Sequence, residues 1–346
     1  MIKDNIRIKF VYKNSFTSDI KMWTKMFINH YPIINNCHFI FDPNDKHYDW
    51  LVVYNSIPQK ESKNSKIEVH CPRTNTLIIT TEPSSITSYE KVYLNQFAYV
   101  LTGQENWAIS HKGKIYEQPA LRWFYNANKE LDLNDVINNI PKNKNKIIST
   151  VCSNKSQIFT LHQKRLSFIK ELKKRLPELN HFGKGINPIK DKSEALNKFK
   201  YHIAIENHVA NHWWTEKIAD AFLGHTLPFY HGAPNINDYF PKNSLIKINI
   251  NNFNQSIEII RNSIKNNEYE KRKNYISEAR NKIIYNYGLF STLSRLIQQR
   301  HGCNEKKENS FIYSRHHLRK NPVNAVNSII QKSSIFSANL INRLVK

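Results

Sequence analysis

The sequence predicts an α/β protein made of two successive halves, and three observations predict it. Short β-branched or aromatic runs recur along the chain with apolar residues on both faces; apolar residues three and four apart lie between them; and one polar, lysine-rich stretch, residues 127–146, parts a first series of such runs from a second. Strands covered by helices on both sides give continuous apolar runs, whereas strands with one wet face alternate.

In the first series the runs are IRIKFVY (6–12), HFIF (38–41), DWLVVYN (49–55), TLIITTE (76–82) and FAYVLTG (97–103), each bounded by turn-forming residues. Met22, Met26 and Phe27 in KMWTKMFINH carry helical spacing between the first two. After the polar stretch come a strand KIISTVCSN (146–154), a helix LHQKRLSFIKELKKRL (161–176), a strand YHIAIEN (201–207), a helix from Glu216, and strands TLPFYHG (226–232) and SLIKINI (244–250). QSIEIIRNSI and ISEARNKIIYNYGLFSTLSRLI repeat apolar residues at three and four, which predicts helices to about residue 300. This divides the chain into domains 1–140 and 146–303 with a tail 304–346. Two such halves leave a cleft, and open α/β sheets bind ligands beyond the carboxyl ends of their strands.

The chain has 346 residues, 40% of them hydrophobic, enough for two ordinary cores. There is no apolar run of about 18 residues and no apolar segment in MIKDNIRIKF, so neither a membrane span nor a signal peptide is expected, and the cytoplasm is the default compartment. Four cysteines lie scattered at 37, 71, 152 and 303, without the paired spacing of a disulfide framework or zinc site. With 51 Lys+Arg against 28 Asp+Glu the net charge is +23, which suits a polyanionic partner: nucleic acid, anionic lipid or a phosphorylated ligand. No recognised RNA or DNA module gathers the basic residues, so nucleic acid is the weaker of these readings.

Residues 206–217, ENHVANHWWTEK, stand where chemistry is expected. A strand ending at Ile205 would deliver Glu206 and Asn207 to the ligand side, followed by a loop with His208, His212, Trp213 and Trp214. Thr215 would cap the next helix, whose stripe Ile218, Ala221 and Phe222 is buried. The first-turn amides and Lys217 would then face a diphosphate, and Glu216 could accept hydrogen bonds from sugar hydroxyls. On the residues alone, a capped surface helix with an exposed Glu216–Lys217 pair fits equally well.

KFKYHIAIENHVANHWWTEKIADAFLGHTLPFYHGAPNINDYFPKNSLIKI (198–248) resembles the signature region of the α-1,3/4-fucosyltransferases, glycosyltransferase family 10, bacterial type. Arg165 and Phe168 in HQKRLSFIKEL are similar to the family's upstream basic helix, and IITTEPSS (78–85) followed by FAYVLTGQ resembles, in pattern only, the segment with its proposed catalytic carboxylate. The family often has Tyr where Trp213 stands.

The resemblance implies a GT-B fold, two facing Rossmann-like domains with a C-terminal helical tail, and inverting transfer of fucose from GDP-fucose to a glycan hydroxyl. The linkage would be α-1,3 or α-1,4, on a cell-surface polysaccharide, lipopolysaccharide or other lipid-linked glycan. It implies donor contacts from Arg165, Glu206, Asn207, Trp213, Thr215, Glu216 and Lys217, with no cofactor required. No D-x-D sequence occurs, so Arg165, Lys217 and the helix amides would neutralise the leaving GDP. A GT-B enzyme using another nucleotide sugar is the first alternative, and a basic nucleic-acid-binding protein the second.

The chemistry needs one base to take the acceptor proton. Glu82 ends a predicted strand and matches the family position; the alternatives are that it caps the EPSS turn, or that Glu206 or a histidine is the base. His202, His208, His212, His225 and His231 fall on different elements, so no metal site is expected. From residue 315 the tail contains no acidic residue, and Val323, Val326, Ile330, Leu340, Ile341 and Leu344 fall near one helical face. That pattern suits a helix lying on the anionic inner face of the cytoplasmic membrane, or one packed on the catalytic domain.

Overall fold

The structure, a computed structural model, describes residues 5–59, 65–154, 161–302 and 310–344, excluding the side chains of 342–344. Two compact units emerge, Met1–Ala120 with Thr292–Lys346, and Leu121–Ser291.

The first unit is built on a seven-stranded sheet of β1 (Ile6–Tyr12), β2 (Ile33–Ile34), β3 (Cys37–Ile40), β4 (Trp50–Tyr54), β6 (Thr76–Ile79), β7 (Tyr99–Thr102) and β8 (Lys114–Tyr116). Their order is β2-β3-β1-β4-β6-β7-β8, and every pairing except β2 with β3 is parallel. The register places Phe10 opposite Val52 and Val53 opposite Ile78, and the inner strands are buried on both faces, as their continuous apolar runs require. One face packs Phe10, Trp23 and Tyr54, and the other packs Val11, Val53, Ile78, Val100, Tyr89 and Tyr93.

The helix expected around Met22–Phe27 is only one turn, Lys21–Thr24. Met26 and Phe27 are still buried, but the chain turns away at Asn29 and His30, whose φ values of 52° and 58° are left-handed. The strand expected at 76–82 stops at Ile79, so Glu82 lies in the loop beyond it. β5 (Lys66–Val69), which sequence reading misses, stands outside the main sheet.

The second unit carries a five-stranded, wholly parallel sheet: β9 (Lys146–Val151), β10 (Leu179–Phe182), β11 (Phe199–Ile205), β12 (Leu227–His231) and β13 (Ile246–Lys247), ordered β10-β9-β11-β12-β13. The expected strand 244–250 is shortened to two residues at the sheet edge. The helical region foreseen to about 300 is three helices, Phe253–Lys265, Glu268–Tyr285 and Leu289–Gln298, interrupted at Asn266–Asn267 and at 286–288.

The expected boundary at 140 falls inside this second unit. The amides of Phe124 and Tyr125 donate to Asp220 Oδ1 at 2.8 and 2.9 Å, those of Asn126 and Asn128 donate to Asp191, and Arg280 donates to the carbonyl of Val136. Polar side chains thus stitch the supposed linker down, and it contains a helix, Leu133–Asn138, with a capping box from Asp132 and Asp135. The expected boundary at 303–304, like Cys303, lies outside the described residues, but contacts group residues from Thr292 onward with the first unit.

There β14 (Ser310–Tyr313) pairs antiparallel with β5, and a long helix, Pro322–Leu344, follows. Asn324, Ser328, Gln331, Ile335 and Asn339, spaced at three and four, make its inward face. Gln331 Nε2 donates to Tyr89 O at 2.8 Å, Asn339 Nδ2 to Ser84 O at 3.1 Å, and Ile335 is 5% exposed. On the opposite face Val323, Val326, Ile329, Ile330, Phe336, Leu340 and Ile341 are all more than 40% exposed. Leu344, expected on that apolar face, has its side chain outside the described residues. No helix among the described residues is long and apolar enough to cross a membrane.

Candidate active site

Parallel strands aim their carboxyl ends at one edge of a sheet, and the residues of interest in the second unit collect there. β11 ends at Ile205, and the amide of Glu206 donates to His231 O at 2.8 Å, holding the chain in line with β12 for one residue more. The Glu206 carboxylate is 0% exposed. Its two oxygens accept from the Thr215 amide at 2.8 Å and the Thr215 hydroxyl at 2.7 Å, and Lys217 Nζ stands 3.3 Å away. A buried charge needs this degree of pairing to be tolerable. Gly232 is required beside it, because a Cβ there would stand 2.5 Å from Glu206 Cγ and 2.3 Å from the Tyr230 hydroxyl.

Thr215 opens the helix Glu216–Leu223, accepting from the Lys217 amide at 3.5 Å, and the stripe Ile218, Ala221 and Phe222 is fully buried. The free amides expected at this helix mouth are therefore partly engaged, one by Glu206 and one by Thr215. Lys217 Nζ also donates to Thr215 Oγ1 at 2.9 Å and to Glu216 Oε1 at 3.1 Å. Burial disfavours the Lys217 ammonium, but Glu206 and Glu216 outweigh it and raise the pKa above the usual lysine value. For Glu216 burial pushes up, while Lys217, Lys192 and two hydrogen bonds pull down to about 2, so this carboxylate stays ionised at any working pH.

Two further groups belong to the cluster and were missed by sequence reading. Lys192 Nζ lies 2.7 Å from Asp220 Oδ2 and 3.8 Å from Glu216 Oε1. Asp220, buried on the helix Glu216–Leu223 itself, has a raised pKa because burial outweighs Lys192. The available signal was the D-x-x-E of Asp191 and Glu194, a capping box that fixes the turn Lys192–Ala195.

Arg165 comes from the helix His162–Arg175, on which Phe168 is buried as the basic-helix pattern suggests. The guanidinium donates from Nη1 to Asn207 Oδ1 at 2.6 Å, whereas Nε, buried, has no hydrogen-bond partner among the described residues. Arg165, Lys192 and Lys217 line one cavity of about 20 Å3 under the ends of β9 and β11, room for a single water and far smaller than a nucleotide.

The arrangement brings Arg165, Asn207, Thr215, Glu216 and Lys217 together, with Glu206 as the strut beneath them. Trp213 and Trp214 are each 2% exposed: Trp213 meets His208 edge-on, and Trp214 packs among Tyr239, Phe240 and Tyr287. Both indoles pack inward, under the loop. The five histidines are likewise dispersed. Ser149 donates its hydroxyl proton to Ala195 O, which leaves the ring proton of His202 on Nδ1, and burial lowers that ring's pKa to about 3. His212 meets Tyr239, His225 meets Ser277, and His231 meets the Ile248 carbonyl.

Glu82 sits in the first unit, half-buried in the loop after β6. Its backbone is fixed on both sides: the amide donates to the Tyr89 hydroxyl at 3.3 Å, and the carbonyl accepts from Gln104 Nε2 at 2.8 Å. The Thr80 and Thr102 hydroxyls, 2.6 Å apart, join the ends of β6 and β7 just before it.

The chain thus has two α/β units built on largely parallel sheets, as in a GT-B fold, with a cationic and carboxylate cluster at the strand ends of the second. Residues 141–298 match the model of the glycosyltransferase family 10 (fucosyltransferase) C-terminal region. Among curated proteins, the α-(1,3)-fucosyltransferase FucT of Helicobacter pylori is 35% identical over 74 residues, a match spanning 21% of this chain and 16% of the relative. Two crystal structures of α1,3-fucosyltransferase share the fold. One is 18% identical with a TM-score of 0.53, covering 90% of this chain and 94% of that one; the other, solved with GDP-fucose, is 17% identical with a TM-score of 0.50, covering 89% and 93%.

Proposed function

We propose that the chain is an inverting fucosyltransferase that moves fucose from GDP-fucose to a glycan hydroxyl in α-1,3 or α-1,4 linkage. The observation that carries this is the cluster of Arg165, Lys217 and Lys192 around the Glu206–Thr215 strut, inside the segment that matches the fucosyltransferase family. The acceptor oxygen attacks the anomeric carbon as the bond to the diphosphate breaks; the electron pair leaves with GDP, and Glu82 takes the acceptor proton. Arg165, whose buried Nε is unpartnered among the described residues, and Lys217 meet the charge that grows on the diphosphate. Glu216, ionised throughout, accepts hydrogen bonds from fucose hydroxyls. Asn207 orients Arg165 through its 2.6 Å contact, and Trp213 shapes the loop from below.

Titration calorimetry with GDP checks the placement of the donor site. Lys217→Ala and Arg165→Ala each remove one charge-assisted contact, about 1.5–3 kcal/mol, so affinity should fall roughly ten- to a hundredfold in each. Unchanged affinity in both would move the site elsewhere. The same measurement with GDP-fucose, GDP-mannose, UDP-sugars and an oligonucleotide separates the readings: binding of a UDP-sugar alone would change the donor, and binding of the oligonucleotide alone would sink the enzyme.

The acceptor is proposed to be a surface polysaccharide, lipopolysaccharide or other lipid-linked glycan, with the enzyme peripheral on the inner face of the cytoplasmic membrane. Its support is the long helix, whose outward face bears seven exposed apolar residues and whose segment from 315 carries no acid. Val326→Asn with Ile329→Asn should lower partition onto vesicles containing anionic phospholipid by about tenfold or more, since each deletes an apolar contact worth about 1–2 kcal/mol. Undiminished sedimentation with the vesicles would refute membrane binding through this face.

A further inference from the structure

Among the described residues, the hydrogen bonds that Ser328, Gln331 and Asn339 on the inward face of the long C-terminal helix make to the rest of its unit converge on one short segment, residues 84–91, which continues the loop that carries Glu82. Asn339 Nδ2 donates to the Ser84 carbonyl at 3.1 Å, and the Ser84 hydroxyl lies 3.5 Å from Asn339 Oδ1. Just over two turns back along the helix, Gln331 makes a two-way contact: Nε2 donates to the Tyr89 carbonyl at 2.8 Å, and Oε1 accepts from the Lys91 amide at 3.1 Å. The Glu90 carboxylate, 4% exposed, is met by Arg315 Nε at 2.6 Å, by Ser328 Oγ at 3.2 Å and by Arg319. Arg315 Nη2 adds a bond to the Ser88 carbonyl at 2.6 Å.

The gripped segment in turn holds the candidate base. Tyr89, fully buried, points its hydroxyl at the amides of Thr81 and Glu82, 3.1 and 3.3 Å away, and donates to Asn55 Oδ1 at 2.6 Å. Burial keeps that phenol protonated, its pKa pushed up to about 12, so the hydroxyl stays a donor to Asn55. Helix contacts at Ser84, Tyr89, Glu90 and Lys91 therefore reach Glu82 through a single rigid ring. A carboxylate that must accept a proton in flight needs sub-ångström placement, and misplacement by about 1 Å can cost on the order of a hundredfold in rate.

From these contacts we propose that Gln331 and Asn339, with the Glu90–Arg315 pair, are positioning residues: the C-terminal helix is a brace that sets Glu82 for catalysis. This rests on the reading of Glu82 as the base. The gripping face and the exposed apolar face lie on opposite sides of the helix, so the brace stays in place when the outer face is covered.

The test uses the full chain carrying Gln331→Ala with Asn339→Ala, side chains on a partly exposed helix face whose loss leaves Ile335 packed. GDP release from GDP-fucose is followed with water and with a glycan that the parent enzyme fucosylates as acceptors. The expected result is a kcat lowered about tenfold or more, GDP affinity and thermal midpoint unchanged, and faster hydrogen exchange at the Thr81 and Glu82 amides. Parental kcat and parental exchange would overturn the brace. So would equal losses in kcat, GDP affinity and midpoint, which would mark a merely structural helix. Glu82→Gln run in parallel separates the two ideas: a parental rate in that variant removes the base itself, whereas an inactive Glu82→Gln beside a fully active double variant removes only the brace.

Discussion

Glu206→Ala is expected to lower the thermal midpoint by on the order of 10 °C and to weaken GDP binding with it. The carboxylate is wholly enclosed and serves three groups, the Thr215 amide, the Thr215 hydroxyl and the Lys217 ammonium. Truncation removes the charge that keeps Lys217 protonated in a half-buried place and leaves two donors without their acceptor. Breaking a buried ion pair in this way costs about 3–5 kcal/mol, and each kcal/mol moves the midpoint of a unit this size by about 2–4 °C. Glu206→Gln should cost less, since an amide oxygen still accepts from the Thr215 backbone. A scanning calorimetry trace in which Glu206→Ala melts with the parent would mean that Lys217 finds full compensation in Glu216 alone. The same geometry bears on the base: a carboxylate with every oxygen committed to Thr215 and Lys217 is poorly placed to collect an acceptor proton.

For Glu82→Gln the expected loss is in turnover, about a hundredfold to ten-thousandfold, with fold and GDP affinity kept. The substitution preserves size, and the contacts that fix this residue's backbone, from Tyr89 and Gln104, do not involve its side chain. Glu216→Gln makes the comparison informative. That residue is tied to Lys217 at 3.1 Å and lies 3.8 Å from Lys192, so its change should depress donor binding as well as rate. Transfer at near the parental rate by Glu82→Gln, in a radiolabelled fucose assay, would return the base to the open alternatives.

The inner strands were legible in the sequence because burial on both faces leaves a continuous apolar run: β1 matches its expected range, and β4, β7 and β12 lie within theirs. β5 was not legible. KIEV, with two of its four residues exposed, is a strand only because residues 310–313 come to pair with it, and no local pattern encodes a partner some 240 positions away. β10, LNHF, is an edge strand with three half-exposed residues and no periodicity to read. At the candidate site, the run Glu206–Lys217 was readable because strand end, cap and helix follow one another directly. Lys192 and Asp220 were not, since their pairing is made by the fold across 28 residues. For the tryptophans the sequence left two places open, on the nucleotide or on the loop beneath, and both indoles are buried against neighbouring rings.

The division of the chain also sets an order of events during synthesis. All five strands of the second unit's sheet lie in one continuous stretch, 121–291, so it can close its core as soon as that stretch leaves the ribosome. The first unit cannot: it waits for residues from Thr292 onward, and until they arrive the edge of β5 and the Glu90 carboxylate lack the partners that cover them. The amino-terminal half is thus exposed longest to aggregation, and it is the stretch from Thr292 onward that ends that exposure.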